Sequence, residues 1–474
     1  MRKHLWIHGE WKETTDYRKH YSPFSNELIA EVATANIEEV NLAIETASDA
    51  LKEMKKLSAH ERSSILYKVA ELLRGRKDEF ARLITSESAK PITTAMAEVE
   101  RTIMTYTFAA EEARRIHGET ISMDAAPGGE NRIAYTIRQP LGVIAAITPF
   151  NFPLNLVAHK IGPAIAAGNT IVLKPATQTP LCAYAIAELF HEAGLPKGAL
   201  NVVSGSGAIV GDCLVKHSKV KAVSFTGSPE VGSDIQKKAG LKRVLLELGS
   251  NSGVIIDENV KLDNIISRIT MGAFSFAGQV CISLQRIYVH EHSYDEFIEL
   301  FKDHTKKVRL GNPYDPKVEV STMISKDETD RALSWINEAV QNGAEVVYGG
   351  NVLEGMLQPT ILSFVQQTEK VSCMEVFAPI VIVNKISSID QGISEINHSE
   401  FGLQAGIFTN DIETALKAAD ELEVGGVMIN DIPTFRVDHM PYGGVKGSGL
   451  GREGIKYAIE ELTELKLISW VKKI

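Results

Sequence analysis

Several short segments of this chain carry residue types that can do chemistry. Cys281, in Gly278-Gln279-Val280-Cys281-Ile282-Ser283, follows a glycine turn. A loop thiol of this kind can act as a nucleophile, although cysteine is also among the most buried residue types. Glu247 sits inside the apolar run Val244-Leu245-Leu246-Glu247-Leu248-Gly249. Burial there disfavours its charge and raises its pKa, which suits a general base or acid. Pairing with a local backbone or lysine group is the plainer reading. Asn151, bracketed by prolines in Pro149-Phe150-Asn151-Phe152-Pro153, can donate to an oxyanion or simply cap a helix. Lys174 ends the run Val172-Leu173-Lys174 before Pro175-Ala176-Thr177. It is either a cation for a ribose hydroxyl or phosphate, or a solvated lysine past a strand. In Phe225-Thr226-Gly227-Ser228-Pro229-Glu230-Val231-Gly232 a strand ends, a glycine turn follows and a helix begins with Ser228 as its cap. Free N–H groups there suit a pyrophosphate. The Gly-x4-Gly spacing is not the usual dinucleotide fingerprint, and a capped turn reads the same way. Glu375-Val376-Phe377-Ala378-Pro379 carries no signal by composition.

These residues need elements to hold them. Residues 37–117 read as helices, with apolar residues at helical spacing over 37–54 and 59–86. A turn at 125–131 precedes a strand-like run at 132–138. From residue 142 short apolar runs at 142–148, 170–173, 200–203, 220–225 and 243–248 alternate with helical stretches at 154–167, 180–193, 208–216 and 229–239. Thr179 is the expected cap of the helix from Pro180. The alternation predicts a parallel, doubly wound sheet whose ligands lie beyond the strands' carboxyl ends. A second alternation runs from 253 to 445, with helices at 294–307 and 326–341. The tail at 463–471 alternates apolar and polar residues, as an edge strand that pairs with another subunit would.

The 474 residues are 44% hydrophobic and 23% charged, the mix of a folded domain protein. Lys plus Arg is 50 against 60 Asp plus Glu, a net charge of −10, which argues against a general grip on nucleic acid or anionic lipid. The four cysteines, Cys182, Cys213, Cys281 and Cys373, form neither a disulfide framework nor a zinc-ribbon spacing. No metal is expected in the chemistry, and a reducing, cytoplasmic setting is. The N-terminus turns polar too early for a signal peptide. The most apolar region, 141–173, is interrupted by Pro149, Asn151, Pro153, Asn155, His159, Lys160 and Pro163, so no membrane span is expected.

Taken together and in order, PFNFP at 149–153, LKPA at 173–176, FTGS at 225–228, LELG at 246–249, GQVC at 278–281, EVFAP at 375–379 and PYGGVKGSGLGREG at 441–454 resemble the NAD(P)-dependent aldehyde dehydrogenases. The likeness covers nearly the whole chain. It implies that Cys281 attacks the aldehyde, that Asn151 and the Cys281 N–H hold the oxyanion, and that Glu247 activates water to release the acid from a thioester. Lys160 matches a lysine that helps relay protons. Lys174 and Glu375 would hold the two ribose units of NAD or NADP. The turn at Phe225, Thr226, Gly227, Ser228 and Val231 would hold the pyrophosphate, with Phe377 against the nicotinamide. Thr148, Pro149, Phe150, Ala176, Thr177, Gly207 and Leu248 complete the implied cofactor surface.

The implied fold is α/β: two doubly wound domains plus a small β bridging arm. The cofactor domain would comprise 1–117 and 138–247, the catalytic domain 248–450, and the bridging, oligomerising segment 118–137 and 451–474. A homodimer or homotetramer is expected. Three departures from the family pattern matter. Thr177 stands where NAD-preferring relatives carry an acid that repels a 2′-phosphate, which predicts that NADP is accepted. Ser250 replaces a usual glycine. Asn155 and His159 replace bulky aromatics and predict a polar substrate tunnel. The loop 434–442 overhangs the aldehyde entrance in relatives, so Arg436 is expected to clamp an anion, with His439 beside it. A surface ion pair is the alternative for Arg436. The likeness is to the lactaldehyde, phosphonoacetaldehyde, sulfolactaldehyde and non-phosphorylating glyceraldehyde-3-phosphate dehydrogenases. Val280 stands where the last often have arginine. The expected substrate is a short 2-hydroxy or anion-bearing aldehyde. Competing readings are a CoA-acylating enzyme, against which Glu247 argues, a catalytically silent binding protein, and a plain thiol hydrolase.

Overall fold

The computed structural model describes residues 1–472. Five parallel strands form the heart of the first sheet. Their order is Arg243–Glu247, Val220–Thr226, Val143–Ile147, Thr170–Lys174 and Leu200–Val202. Alternate residues of each strand face opposite sides of a sheet. Accordingly Ile144, Ala146, Ile171 and Leu173 pack in one core, with helices Ala59–Gly75, Ile92–Ala113 and Asn155–Ala166. Val143, Ala145, Ile147 and Val172 pack in another, with helix Ile37–Met54. Burial on both faces explains why these strands read as unbroken apolar runs. The antiparallel strands Leu5–Ile7 and Glu10–Lys12 extend one edge.

The second sheet runs Glu345–Tyr348, Thr360–Ser363, Ile380–Ile386, Arg286–His290, Gly253–Ile256, Gln404–Phe408 and Gly426–Ile429, parallel except at the first strand. A separate three-stranded sheet pairs Thr463–Val471 with Arg132–Pro140 through nine antiparallel partners, and Thr120–Ile121 lies on the other side. Among the described residues no helix is long and apolar enough to cross a membrane.

Four local expectations change. The helix expected over 59–86 breaks at Arg76, after Gly75, into Ala59–Gly75 and Lys77–Ser88; glycine is a poor helix former. Thr179 does not cap the following helix, which spans Leu181–Glu192. The Glu87 carboxylate accepts from the Leu181 and Cys182 N–H groups instead, at 2.7 and 3.1 Å. The stretch 208–216 opens as a wider turn, Gly207–Gly211, before Asp212–Lys216. Finally, Gly449–Leu450 pairs with Arg243–Glu247 in the first sheet. Helix Ile455–Glu461 then packs Ile455 and Ile459 into the first core, although 451–474 was expected in the bridging arm.

Candidate active site

The first sheet reverses direction between Val143–Ile147 and Val220–Thr226. The chain builds outward through Thr170–Lys174 and Leu200–Val202, then crosses to the other side. Such a switch point leaves a crevice at the strands' carboxyl ends. Thr148, Lys174, Thr226 and Glu247 all sit at those ends. Gly227 donates its N–H to the Glu247 carbonyl at 3.0 Å. The exposed Ser228 caps helix Pro229–Ala239 by accepting from Val231 N–H at 3.4 Å. Phe225 and Leu248 are buried, whereas Val231 and Gly207 are exposed. Pro149, Phe150, Ala176 and Thr177 are partly exposed.

Two features fit a dinucleotide in this crevice. The buried Thr226 hydroxyl has no partner. Lys174 meets only the Pro175 carbonyl, at 3.3 Å, and burial lowers its pKa to about 8. The opposite lip comes from the second sheet. Glu375 accepts from Ser250 N–H at 3.0 Å, and burial pushes it up to about 7 against that hydrogen bond and Arg331. A Cβ at Gly249 would lie 2.6 Å from the Glu375 carboxylate. Ser250 Oγ lies 3.0 Å from Ser252 Oγ. The Phe377 ring stands edge-on to Phe150 at 5.8 Å, joining the lips.

Cys281, Asn151 and Glu247 line one cavity of about 410 Å³. The loop before Cys281 is strained: Phe276 and Ala277 both adopt left-handed φ, at 51° and 53°, before Gly278 at 68°. Such non-glycine residues persist only where their surroundings hold them. Asn151 Nδ2 donates to the Gln279 carbonyl at 3.1 Å and stands 4.0 Å from Cys281 Sγ. Burial, with the Glu375 and Glu247 charges, pushes the Cys281 thiol up to about 12. Burial also raises Glu247 well above the usual carboxylate range. Glu453 adds to the rise, while Arg436, Lys160 and Arg452 oppose it. One Glu247 oxygen is buried without a partner.

Arg436 is no surface residue. It forms a buried ion pair with Glu453 at 3.0 Å, lies 3.6 Å over the Tyr442 ring, and lines the cavity with its Nε unpartnered. Glu453 also pairs with Lys160 at 3.2 Å, and Lys160 donates to Ser224 Oγ at 3.0 Å. Despite burial, Lys160, His159 and Arg436 hold Glu453 down to about 2. His159 stands behind Arg436, bonded to Asp438 at 2.8 Å; burial first, then Arg436, lowers its pKa. Asn155 reaches the cavity wall and donates to Asp438 at 3.0 Å. His439 is not brought into the site: it is exposed and packs its ring 4.8 Å from Phe108.

Sequence reasoning missed six residues here. Glu453 and Tyr442 lay within a quoted motif without a role. Asp438 receives a bidentate Arg101 at 2.7 and 3.1 Å. The buried Lys90 pairs with Glu98, donates to the Asn151 carbonyl at 2.6 Å, and lies between the Phe152 and Phe276 rings at 3.8 and 4.5 Å. Glu98 accepts from the Leu154 and Asn155 N–H groups. This pair therefore braces both the Asn151 turn and the left-handed loop before Cys281. A signal for Glu98 existed: it falls on the buried helical stripe Ala95, Glu98, Val99, Thr102. Lys90→Met leaves Glu98 buried and unpaired, at a cost of about 3–5 kcal/mol. The expected fall in Tm is about 3–5 °C by scanning calorimetry; an unchanged Tm would refute the brace.

Comparison with known proteins gives the site its context. The aldehyde dehydrogenase family profile matches residues 11–468. A 3-sulfolactaldehyde dehydrogenase of Priestia aryabhattai is 48% identical over 464 residues, 98% of this chain and 97% of that protein. A lactaldehyde dehydrogenase of Methanococcus aeolicus is 41% identical over 468 residues, 98% of this chain and 99% of that protein. The crystal structure of an NADP-dependent glyceraldehyde-3-phosphate dehydrogenase from Bacillus halodurans, complexed with NADP, superposes with a TM-score of 0.97 at 36% identity, covering 100% of both chains. On the match of almost its full length, this chain is an enzyme of the aldehyde dehydrogenase family.

Proposed function

We propose that this enzyme oxidises a short 2-hydroxy or anion-bearing aldehyde, of the lactaldehyde or sulfolactaldehyde kind, to its carboxylic acid with NAD or NADP. The observation that carries the reading is the shared cavity of Cys281, Asn151 and Glu247 beside the switch-point crevice. Cys281 gives its proton to water, and its Sγ bonds to the aldehyde carbon. The Asn151 amide and the Cys281 N–H stabilise the oxyanion. A bound nicotinamide dinucleotide supplies the acceptor for the hydride that leaves that carbon. The product on Cys281 is a thioester. Glu247 takes a proton from water, the water oxygen bonds to the acyl carbon, and the C–S bond breaks to release the acid and the Cys281 thiolate. Lys160 and Glu453, a buried pair whose charges act on Glu247, would carry away the proton that Glu247 takes up. Lys174, Glu375, Thr226 and the Ser228 turn would hold the dinucleotide. The four free cysteines fit a cytoplasmic setting. The exposed Leu465, Leu467 and Trp470 on the outer strand support pairing with a second copy.

Substrate choice rests on Arg436. Arg436 lines a cavity in which Arg101 and Arg268 are each already bidentate to a carboxylate, and its own Nε is buried without a partner. Arg436→Met should lower kcat/KM for 3-sulfolactaldehyde relative to propanal by roughly 10- to 150-fold, the worth of a charged hydrogen bond of about 1.5–3 kcal/mol. The ratio cancels any general damage from freeing Glu453. An unchanged ratio would sink the clamp.

Thr177 sets the cofactor expectation. With no acid at that position, nothing there repels a 2′-phosphate, and a relative of high structural likeness is described with NADP. Thr177→Glu is expected to cut kcat/KM for NADP at least about tenfold, a repulsion of roughly 1.4 kcal/mol, with little change for NAD. Strong preference for NAD in the unaltered enzyme would contradict this reading.

A further inference from the structure

The two central strands of the second sheet have two functional ends. Gly253–Ile256 and Arg286–His290 lie side by side and parallel, with Gly253 opposite Arg286 and Ile256 opposite Val289. Their amino ends follow Glu247 and Cys281. Their carboxyl ends open into the turns at 257–259 and 291–293, four strand steps and roughly 13 Å away.

Three metal-binding side chains converge at those carboxyl ends. Glu258 Oε2 lies 2.9 Å from His292 Nδ1 and 3.9 Å from His290 Nδ1. All three donor atoms fall within 4.8 Å of one another. The two imidazole rings meet at 60° with centroids 5.0 Å apart. A tetrahedral zinc ion with ligands at about 2.0–2.1 Å needs ligand atoms roughly 3.3 Å apart. Two of the three separations, 2.9 and 3.9 Å, bracket that value and the third lies within 4.8 Å, so the side chains must draw together and His290 Nδ1 must give up its 3.5 Å bond from the His292 N–H.

The backbone beneath these ligands is fixed. Ser293 Oγ donates to the Glu258 carbonyl at 3.0 Å, tying one turn to the other. Glu258 N–H donates to Asp257 Oδ1 at 2.8 Å, and Asp257 is held in turn by the Thr409 hydroxyl at 2.6 Å. Glu291 N–H donates to the Ile386 carbonyl and Ser293 N–H to the His290 carbonyl, at 2.8 and 2.9 Å. His292 and Glu258 are exposed, which leaves a fourth position for water.

We propose that Glu258, His290 and His292 form a binding site for one divalent ion of the zinc class, remote from the catalytic cavity. Two imidazoles and one carboxylate disfavour magnesium and calcium, which take oxygen ligands. The ion cross-links the carboxyl ends of two neighbouring strands. It stabilises the second sheet and takes no part in the oxidation.

The test is a zinc titration of the full chain against a chromophoric chelator, beside His292→Ala, Glu258→Gln and Cys281→Ser. The last variant is needed because a thiol also binds zinc. The unaltered chain and Cys281→Ser are expected to take up one equivalent with a Kd in the low micromolar range. His292→Ala and Glu258→Gln should bind about 10- to 100-fold more weakly, no less than the loss of an outer-shell partner costs. Saturating zinc should raise Tm in the unaltered chain and not in His292→Ala. No saturable binding below about 1 mM, wild-type affinity in both surface variants, or loss of binding in Cys281→Ser would each overturn the proposal.

Discussion

Cys281→Ala is expected to abolish aldehyde oxidation, by at least about three orders of magnitude, while leaving dinucleotide binding intact. The proposed nucleophile has no second thiol beside it in the cavity lining. The other hydroxyl and thiol groups of the chain are elsewhere or lack its position, 4.0 Å from the Asn151 amide, at the end of a loop held in a left-handed turn. Removing a covalent nucleophile takes away the step that divides the reaction in two, and losses of this size follow. The groups proposed to hold the cofactor, Lys174, Ser228 and Glu375, lie on other segments, so fluorescence titration with NADPH should give an unchanged Kd. Retained oxidation in the variant would refute the assignment. A second readout follows from the thiol's environment. Burial and two neighbouring carboxylates place its pKa at about 12. Alkylation of Cys281 by iodoacetamide, followed by peptide mass, should therefore climb about tenfold per pH unit past pH 9. A plateau below pH 9 would mean that the thiol is not held in its protonated form.

Glu247→Gln is expected to separate the two halves of the reaction. The amide keeps the size of the side chain and loses the base. Aldehyde addition and the first reduction of the dinucleotide should survive, whereas hydrolysis should slow by about 10²- to 10⁴-fold, the usual worth of a general base. Rapid mixing should then show a burst of one reduced nicotinamide per active site and a steady state lower by that factor. The pH dependence has a definite sign. Glu247 must be ionised to accept a proton, and its pKa is raised by burial and by Glu453. The steady-state rate of the unaltered enzyme should thus fall as pH drops through a value above the ordinary carboxylate range. In the variant that limb should vanish. A variant with no burst and full turnover would place the base elsewhere.

Much of this arrangement is legible in the sequence, for identifiable reasons. Short apolar runs mark strands covered on both faces, so 170–173 and 220–225 stood out. Ser228 followed by proline marks a helix start, and it caps the helix. The break at Arg76 was missed because the helical period continues on both sides of it. Thr179 was misread because the true cap, Glu87, lies 94 residues away. Long-range ion pairs leave no local period: Asp438 is held by Arg101, and Asn151 is braced by Lys90. Arg436 illustrates the limit well. Sequence left an anion clamp and a surface ion pair open, and the structure shows a buried ion pair that still faces the cavity. His439 failed for a geometric reason. Along 436–439 the loop alternates: Asp438 points inward with Arg436, whereas Val437 and His439 are exposed.

The most direct measurement is the mass of the Cys281 peptide after Glu247→Gln has been mixed with one equivalent of aldehyde and excess NADP, then quenched in acid within the burst. Transient acylation predicts a gain equal to the acyl group on that peptide alone, in step with the reduced nicotinamide formed. Reduced nicotinamide appearing at full burst amplitude while the Cys281 thiol stays unmodified would contradict it.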